Sequence, residues 1–117
     1  MPKTEITPVT AVFAGAEITP VNIDKTNGNE FTNVRAKSRL FIVNNSSTDS
    51  IVGTVDVTAT LAEGTGSIPA QDVAVTVAAG ATKVVGPFSG NFETNSKVSV
   101  AWTGAAVASD VQIFVVN

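Results

Sequence analysis

The densest group of potential ligands in the chain is Asp24-Lys25-Thr26-Asn27-Gly28-Asn29-Glu30. Carboxylates and amides one or two residues apart around a glycine are the donors that calcium loops use. Counted from Asp24, however, the glycine comes one position early for a helix–loop–helix calcium site. The twelfth position is Arg35, where a bidentate glutamate is needed. The same residues suit an Asx turn, in which Asp24 accepts from the backbone that follows it and Asn27-Gly28 makes the bend. That is the reading the spacing favours, and no metal site is assigned.

A second group is Arg35, Lys37 and Arg39. On a strand these share one face. Such a patch can meet an acidic protein surface, because peripheral charges steer association. It can equally guard a strand edge against unwanted pairing. No aromatic residues interleave with the cations to stack on bases, so nucleic acid is not an expected partner. The formal net charge of −3 points the same way. Trp102 is the single tryptophan. It could serve as a sugar platform, but it alternates with Val98 and Val100, which favours packing.

Other chemistry lacks its side chains. There is no His, Cys or Tyr, so the commonest general base, the commonest transition-metal ligand, thiol chemistry and the phenol acid are all missing. The carboxylates are scattered over expected loops rather than paired as glycoside hydrolysis requires. No Ser-His-Asp set, zinc spacing or phosphate-cradling glycine loop is present. No catalytic residue and no cofactor are assigned.

The elements that would position these groups read as strands. Val and Thr are prominent and no stretch shows a helical period. Val9–Phe13 is a candidate strand, and Ile18–Ile23 is another that Pro20 marks as edge or irregular. Arg39–Asn44 is a continuous apolar run that fits a central strand covered on both faces. Ile51–Leu61 alternates, with Val55, Val57, Ala59 and Leu61 on one face. Residues 62–71 form a long exposed loop. Val73, Val75 and Val77 face a core, Ala79-Gly80 turns the chain, Thr82–Val85 returns as the partner strand of a hairpin, and Gly86-Pro87 stops it. Phe31, Phe88 and Phe92 are apolar anchors. Lys97–Thr103 and Val111–Val116 complete the set, with Val98, Val100, Trp102, Val111, Ile113 and Val115 inward. About eight short strands at regular spacing predict an all-β, single-domain antiparallel sandwich of jelly-roll or immunoglobulin-like type. Residues 1–8 are expected to be a flexible arm ahead of a 9–117 sandwich domain. Met1-Pro2-Lys3-Thr4-Glu5 lacks the basic and apolar regions of a signal peptide, and no apolar stretch has the length of a membrane span. A soluble product made in a cytoplasm, without a membrane partner, is therefore expected.

One resemblance adds to this. Gly28-Asn29-Glu30-Phe31-Thr32-Asn33 is followed by Leu40-Phe41-Ile42-Val43-Asn44-Asn45. Next come Val73-Ala74-Val75-Thr76-Val77, Ala79-Gly80-Ala81-Thr82-Lys83, Gly86-Pro87-Phe88 and Phe92. Val98-Ser99-Val100-Ala101-Trp102-Thr103-Gly104 and a valine-rich strand end the chain. From about Gly28 onward this resembles small tailed-bacteriophage virion proteins of the head decoration, or cement, type.

The resemblance implies a small β-rich, non-enzymatic protein on the outer capsid surface. Its partner would be the major capsid protein, its assembly a homotrimer, and its location the virion. Under that reading the expected capsid or subunit contacts are Lys3, Thr4, Glu5 and Ile6 of the arm and Arg35, Lys37 and Arg39 of the basic group, with the 62–71 loop reaching outward. The alternative is an immunoglobulin-like tail or adhesion module that binds a host surface or carbohydrate, which would call for an exposed aromatic at a loop tip.

Overall fold

The computed structural model describes residues 3–11, 15–33, 37–56, 60–63, 66–69, 72–88, 93–94 and 97–117. Among these residues the regular structure is strand, apart from one 3₁₀ turn at Ala108–Asp110. The fold is the expected β-sandwich. A six-stranded sheet is ordered β1 (Thr4–Glu5), β3 (Asn29–Thr32), β11 (Lys97–Thr103), β5 (Ile51–Val55), β8 (Val73–Val77), with β10 (Glu93–Thr94) also on β11. A four-stranded sheet is ordered β2 (Val21–Asn22), β12 (Val111–Val116), β4 (Arg39–Asn44), β9 (Thr82–Val85). β6 (Thr60–Glu63) and β7 (Gly66–Pro69) pair separately with each other. The ladders are antiparallel except β1 on β3.

The core lies between the two large sheets. Strands β4, β5, β11 and β12 each bury every second residue, as a period-2 pattern of β-branched residues requires. Val98, Val100, Trp102, Val111, Ile113 and Val115 are all buried as the alternation indicates. Phe31 and Phe88 meet beneath them with ring centroids 5.6 Å apart. Each such side chain, fully buried, stabilises the fold by about 1.5–3 kcal/mol relative to exposure.

The sequence reading of residues 72–88 needs correction. β8 pairs with β5 and β9 pairs with β4, so the two strands belong to opposite sheets and form an arch rather than a hairpin. The turn itself is where Gly80 places it: Ala81 N donates to Ala78 O at 3.0 Å and Gly80 has φ 74°. A turn with positive φ at its third position is the type II pattern, which does not match the twist of a two-residue hairpin. Asn44 holds the arch from the side. Its Nδ2 donates to Val77 O at 3.0 Å and its backbone N to Ala81 O at 2.9 Å. Of the three valines expected in the core, Val77 is buried, Val75 is half-buried and Val73 is 42% exposed. The burial fades because β8 is an edge strand and Val73 lies at its outer end.

The long loop expected at 62–71 is replaced by the β6–β7 ladder, with Leu61 opposite Ile68 and Glu63 opposite Gly66. This ribbon continues from β5 and β8, whose last pair is Val55–Val73. Four residues separate the ladders on one side (56–59) and three on the other (70–72), so the register shifts by one between them. Of the alternation expected over 51–61, Val57 and Ala59 lie outside the described residues. So do Phe13 and Phe92.

The amino-terminal segment is likewise not a free arm over residues 4–9. Thr4 N donates to Gly28 O at 3.0 Å and Ile6 N to Glu30 O at 2.8 Å. Val9 N then donates to Val115 O at 2.8 Å, and Asn117 N to Val9 O at 2.9 Å. The segment therefore runs along the edge of one sheet and reaches the other. Its backbone donors find partners there, and Ile6, 3% exposed, joins the core. The boundary expected at residue 8 falls inside the sandwich.

Candidate docking face

The four-stranded sheet has one face in the core and one outside. Alternation along β4 puts Arg39, Phe41 and Val43 on the outer face. The register adds Phe114 and Val84 on either side of Phe41, Gln112 and Thr82 beside Val43, and Val116 beside Arg39. Phe41 and Phe114 stack at 4.8 Å with an interplanar angle of 8°, a contact worth about 0.5–1.5 kcal/mol beyond area burial. Neither ring is buried, and Val84 is 53% exposed. The expectation that Arg39–Asn44 is covered on both faces is thus corrected: Leu40, Ile42 and Asn44 are buried, whereas Phe41 and Val43 are only half-buried. A continuous apolar run has the same sequence whether its second cover comes from its own chain or from another.

The basic group reads differently in space. Arg39 opens β4 and is exposed on the same face as Phe41. Lys37 is exposed just ahead of the strand rather than on it, so strand spacing does not align it with Arg39. Arg35 lies outside the described residues. None of the residues that the register places on this face is acidic.

Three of the four amino-terminal contact candidates are engaged within the chain. Thr4 Oγ1 donates to Asp24 Oδ2 at 2.6 Å. Glu5 receives Lys97 Nζ at 3.1 Å, with Glu30 3.7 Å from the same amine. Glu5 first, and Glu30 after it, hold the Lys97 amine above its ordinary pKa; both contacts are solvent-exposed, so their net contribution is small. Ile6 is in the core and cannot be a contact residue. Lys3 is exposed.

The Asp24 loop is an Asx turn. Asp24 Oδ1 accepts from Thr26 N at 3.1 Å and Asn27 N at 3.0 Å, and Oδ2 accepts from Thr4 Oγ1 and, at 3.4 Å, Asn27 Nδ2. Both carboxylate oxygens are thus engaged by protein donors. The Thr4 hydroxyl is the largest of the causes that lower the Asp24 pKa, followed by the Asn27 amide. Beside the turn, buried Asn29 joins three regions. Its Oδ1 accepts from Trp102 Nε1 at 2.8 Å and Asp24 N at 2.9 Å, and its Nδ2 donates to Thr4 O at 3.2 Å. Trp102 is 5% exposed and packs against Gly53, where an added Cβ would come within 2.7 Å of its ring. It is a core residue and no sugar platform.

Phe114 and Val84 were missed as partners of Phe41. The signal was present in the odd-numbered apolar residues of β4, but their neighbours depend on a register that the sequence does not print. Comparisons with protein-family models, with curated proteins and with solved structures found no match for this chain.

Proposed function

We propose that the chain is a non-enzymatic bacteriophage structural protein that decorates and stabilises the capsid by binding the outer surface of the assembled major capsid protein shell. The observation that carries this reading is the apolar, partly exposed outer face of the four-stranded sheet. Stacked Phe41 and Phe114, half-buried Val43 and exposed Val84 make an apolar centre, with Arg39 at its end. Apolar patches with a polar margin are a mark of protein-docking surfaces. Several residues that carry the resemblance to cement proteins have structural work in this fold. Gly28 approaches Val100 O too closely for a Cβ, and Asn29, Phe31 and Phe88 are buried.

The mechanism would be linkage. A protein that binds the assembled, expanded shell and not its dissociated parts stabilises the shell by mass action. Many copies on one lattice multiply modest contacts through avidity. Homotrimeric packing at threefold points belongs to the same proposal. Cosedimentation with expanded and unexpanded heads tests it. Saturable binding to expanded heads, with a raised temperature of genome release, is the expected result. Equal indifference to both head forms would reject it in favour of the tail or adhesion alternative, which a glycan or host-envelope binding assay would then support.

A further inference from the structure

We infer that Asn27 is a modification site: its side-chain amide is lost to solvent water through a succinimide, at a rate set by the Asp24 turn, and the change loosens the amino-terminal strand.

The reactive pair is Asn27-Gly28, the one place in the chain where an asparagine precedes a glycine. The Gly28 backbone nitrogen attacks Asn27 Cγ and gives up its proton. The bond from Cγ to the side-chain nitrogen breaks, and that nitrogen leaves with the proton as ammonia. Water then opens the five-membered ring. Opening at Cγ gives aspartate, and opening at the main-chain carbonyl gives isoaspartate. Asparagine is among the thermolabile residues, and a following glycine has no side chain to hinder ring closure. The fold requires this glycine. Gly28 has φ 83°, and an added Cβ would come within 2.8 Å of Val100 O.

The turn around the pair is the gate. Gly28 N donates to Asp24 O at 2.9 Å, which engages the proton that the attack must remove. Asn27 is held at both ends by the Asp24 carboxylate: its backbone N donates to Oδ1 at 3.0 Å and its Nδ2 to Oδ2 at 3.4 Å. Thr4 Oγ1 steadies the same carboxylate at 2.6 Å. Ring closure needs the carboxamide to swing onto the following nitrogen, so its rate follows the population of the opened turn.

The products bear on β1. Gly28 O accepts Thr4 N at 3.0 Å, and Asn29 Nδ2 donates to Thr4 O at 3.2 Å. Isoaspartate lengthens the main chain by one carbon immediately before these two residues. Either product also adds a carboxylate beside Asp24, where an amide had donated. Like charges then meet at the residue that holds the Thr4 hydroxyl.

Peptide mapping by mass spectrometry tests this on the full-length chain, incubated at neutral pH both folded and in urea. In urea, conversion of amide to acid should appear at Asn27 ahead of Asn45, which precedes Ser46. In the folded parent it should be slower by at least about tenfold. Asp24→Ala, with folding checked by its melting transition, should convert at least about fivefold faster than the folded parent, because both side-chain restraints on Asn27 are gone. Thr4→Val, which removes only the hydroxyl that steadies Asp24, should accelerate conversion in the same direction and serves if Asp24→Ala does not fold. Hydrogen exchange of the Thr4 and Ile6 amides, which bond to Gly28 O and Glu30 O, should be faster in the modified fraction than in the unmodified one. A chain that leaves Asn27 intact in urea would overturn the site. A folded parent that converts as fast as the chain in urea, or a folded Asp24→Ala chain that converts no faster than its parent, would overturn the gate. Equal exchange of the two amides before and after conversion would overturn the link to β1.

Discussion

Leu40, Ile42 and Asn44 project from β4 into the sandwich and are at most 1% exposed, while Arg39, Phe41 and Val43 of the same strand project away from it. On the inner side every requirement is met within the chain. Leu40 and Ile42 lie against the core, and Asn44 places its amide on Asp49 O and Val77 O and accepts Ser46 N. On the outer side two stacked phenyl rings and two valines await cover. One strand of six residues therefore serves two tasks, and its two faces should respond to substitution in opposite ways: inner changes should cost stability, outer changes association.

The largest effect is expected on the inner face. Ile42→Ala should lower unfolding free energy by about 2–5 kcal/mol, the usual cost of a cavity in a core, with a matching fall in the urea midpoint. Asn44→Leu should cost about 1–3 kcal/mol, because Val77 O, Asp49 O and Ser46 N lose a buried partner. Proteolysis near the Ala78–Ala81 turn should rise with it, as the arch loses its clamp. On the outer face Phe41→Ala should cost clearly less monomer stability than Ile42→Ala: about 0.5–1.5 kcal/mol for the stacking with Phe114, plus the smaller part of the ring's area that its neighbours cover. If Phe41→Ala proved as destabilising as Ile42→Ala, the contrast between the faces would fail.

The smallest effect concerns acid. The Asp24 carboxyl is held below its ordinary pKa by Thr4 and the turn amides. Its contribution to stability is thus complete above the ordinary aspartate value of roughly 3.9 and is lost as pH falls through the lower folded value. Asp24→Asn should leave stability at neutral pH little changed and flatten its acid limb, measured by thermal melts between neutral and acidic buffer. The group is exposed to solvent, so the change in slope should be slight.

How much of this was legible beforehand varies with the range of the interaction. The strand Arg39–Asn44 begins and ends where its composition says, and the alternation in Lys97–Thr103 and Val111–Val116 marks the core correctly. These are local properties. At Ala79-Gly80 the sequence predicts a hairpin where the chain makes an arch, because a glycine turn specifies a bend but not whether the flanking strands pair with each other. Gly64, Gly66 and Pro69 weaken the strand signal over β6–β7, so the composition there predicts a loop. Asn29 and Asn44 were not singled out for burial, since amides are usually exposed; only the three-dimensional meeting of Trp102, Asp24 and Thr4 shows what Asn29 satisfies. The apolar outer face shares this cause, as Phe41 and Phe114 lie 73 positions apart in sequence.

The central claim is that the outer face of the four-stranded sheet is a protein-docking surface. The most direct test is binding of the Phe41→Ser, Val84→Ser variant to expanded heads, alongside the parent chain and with folding checked by its melting transition. The account predicts a folded chain whose binding falls by tenfold or more, as loss of a docking centre entails, roughly 1.4 kcal/mol or above. A folded variant that binds heads as tightly as its parent would contradict it.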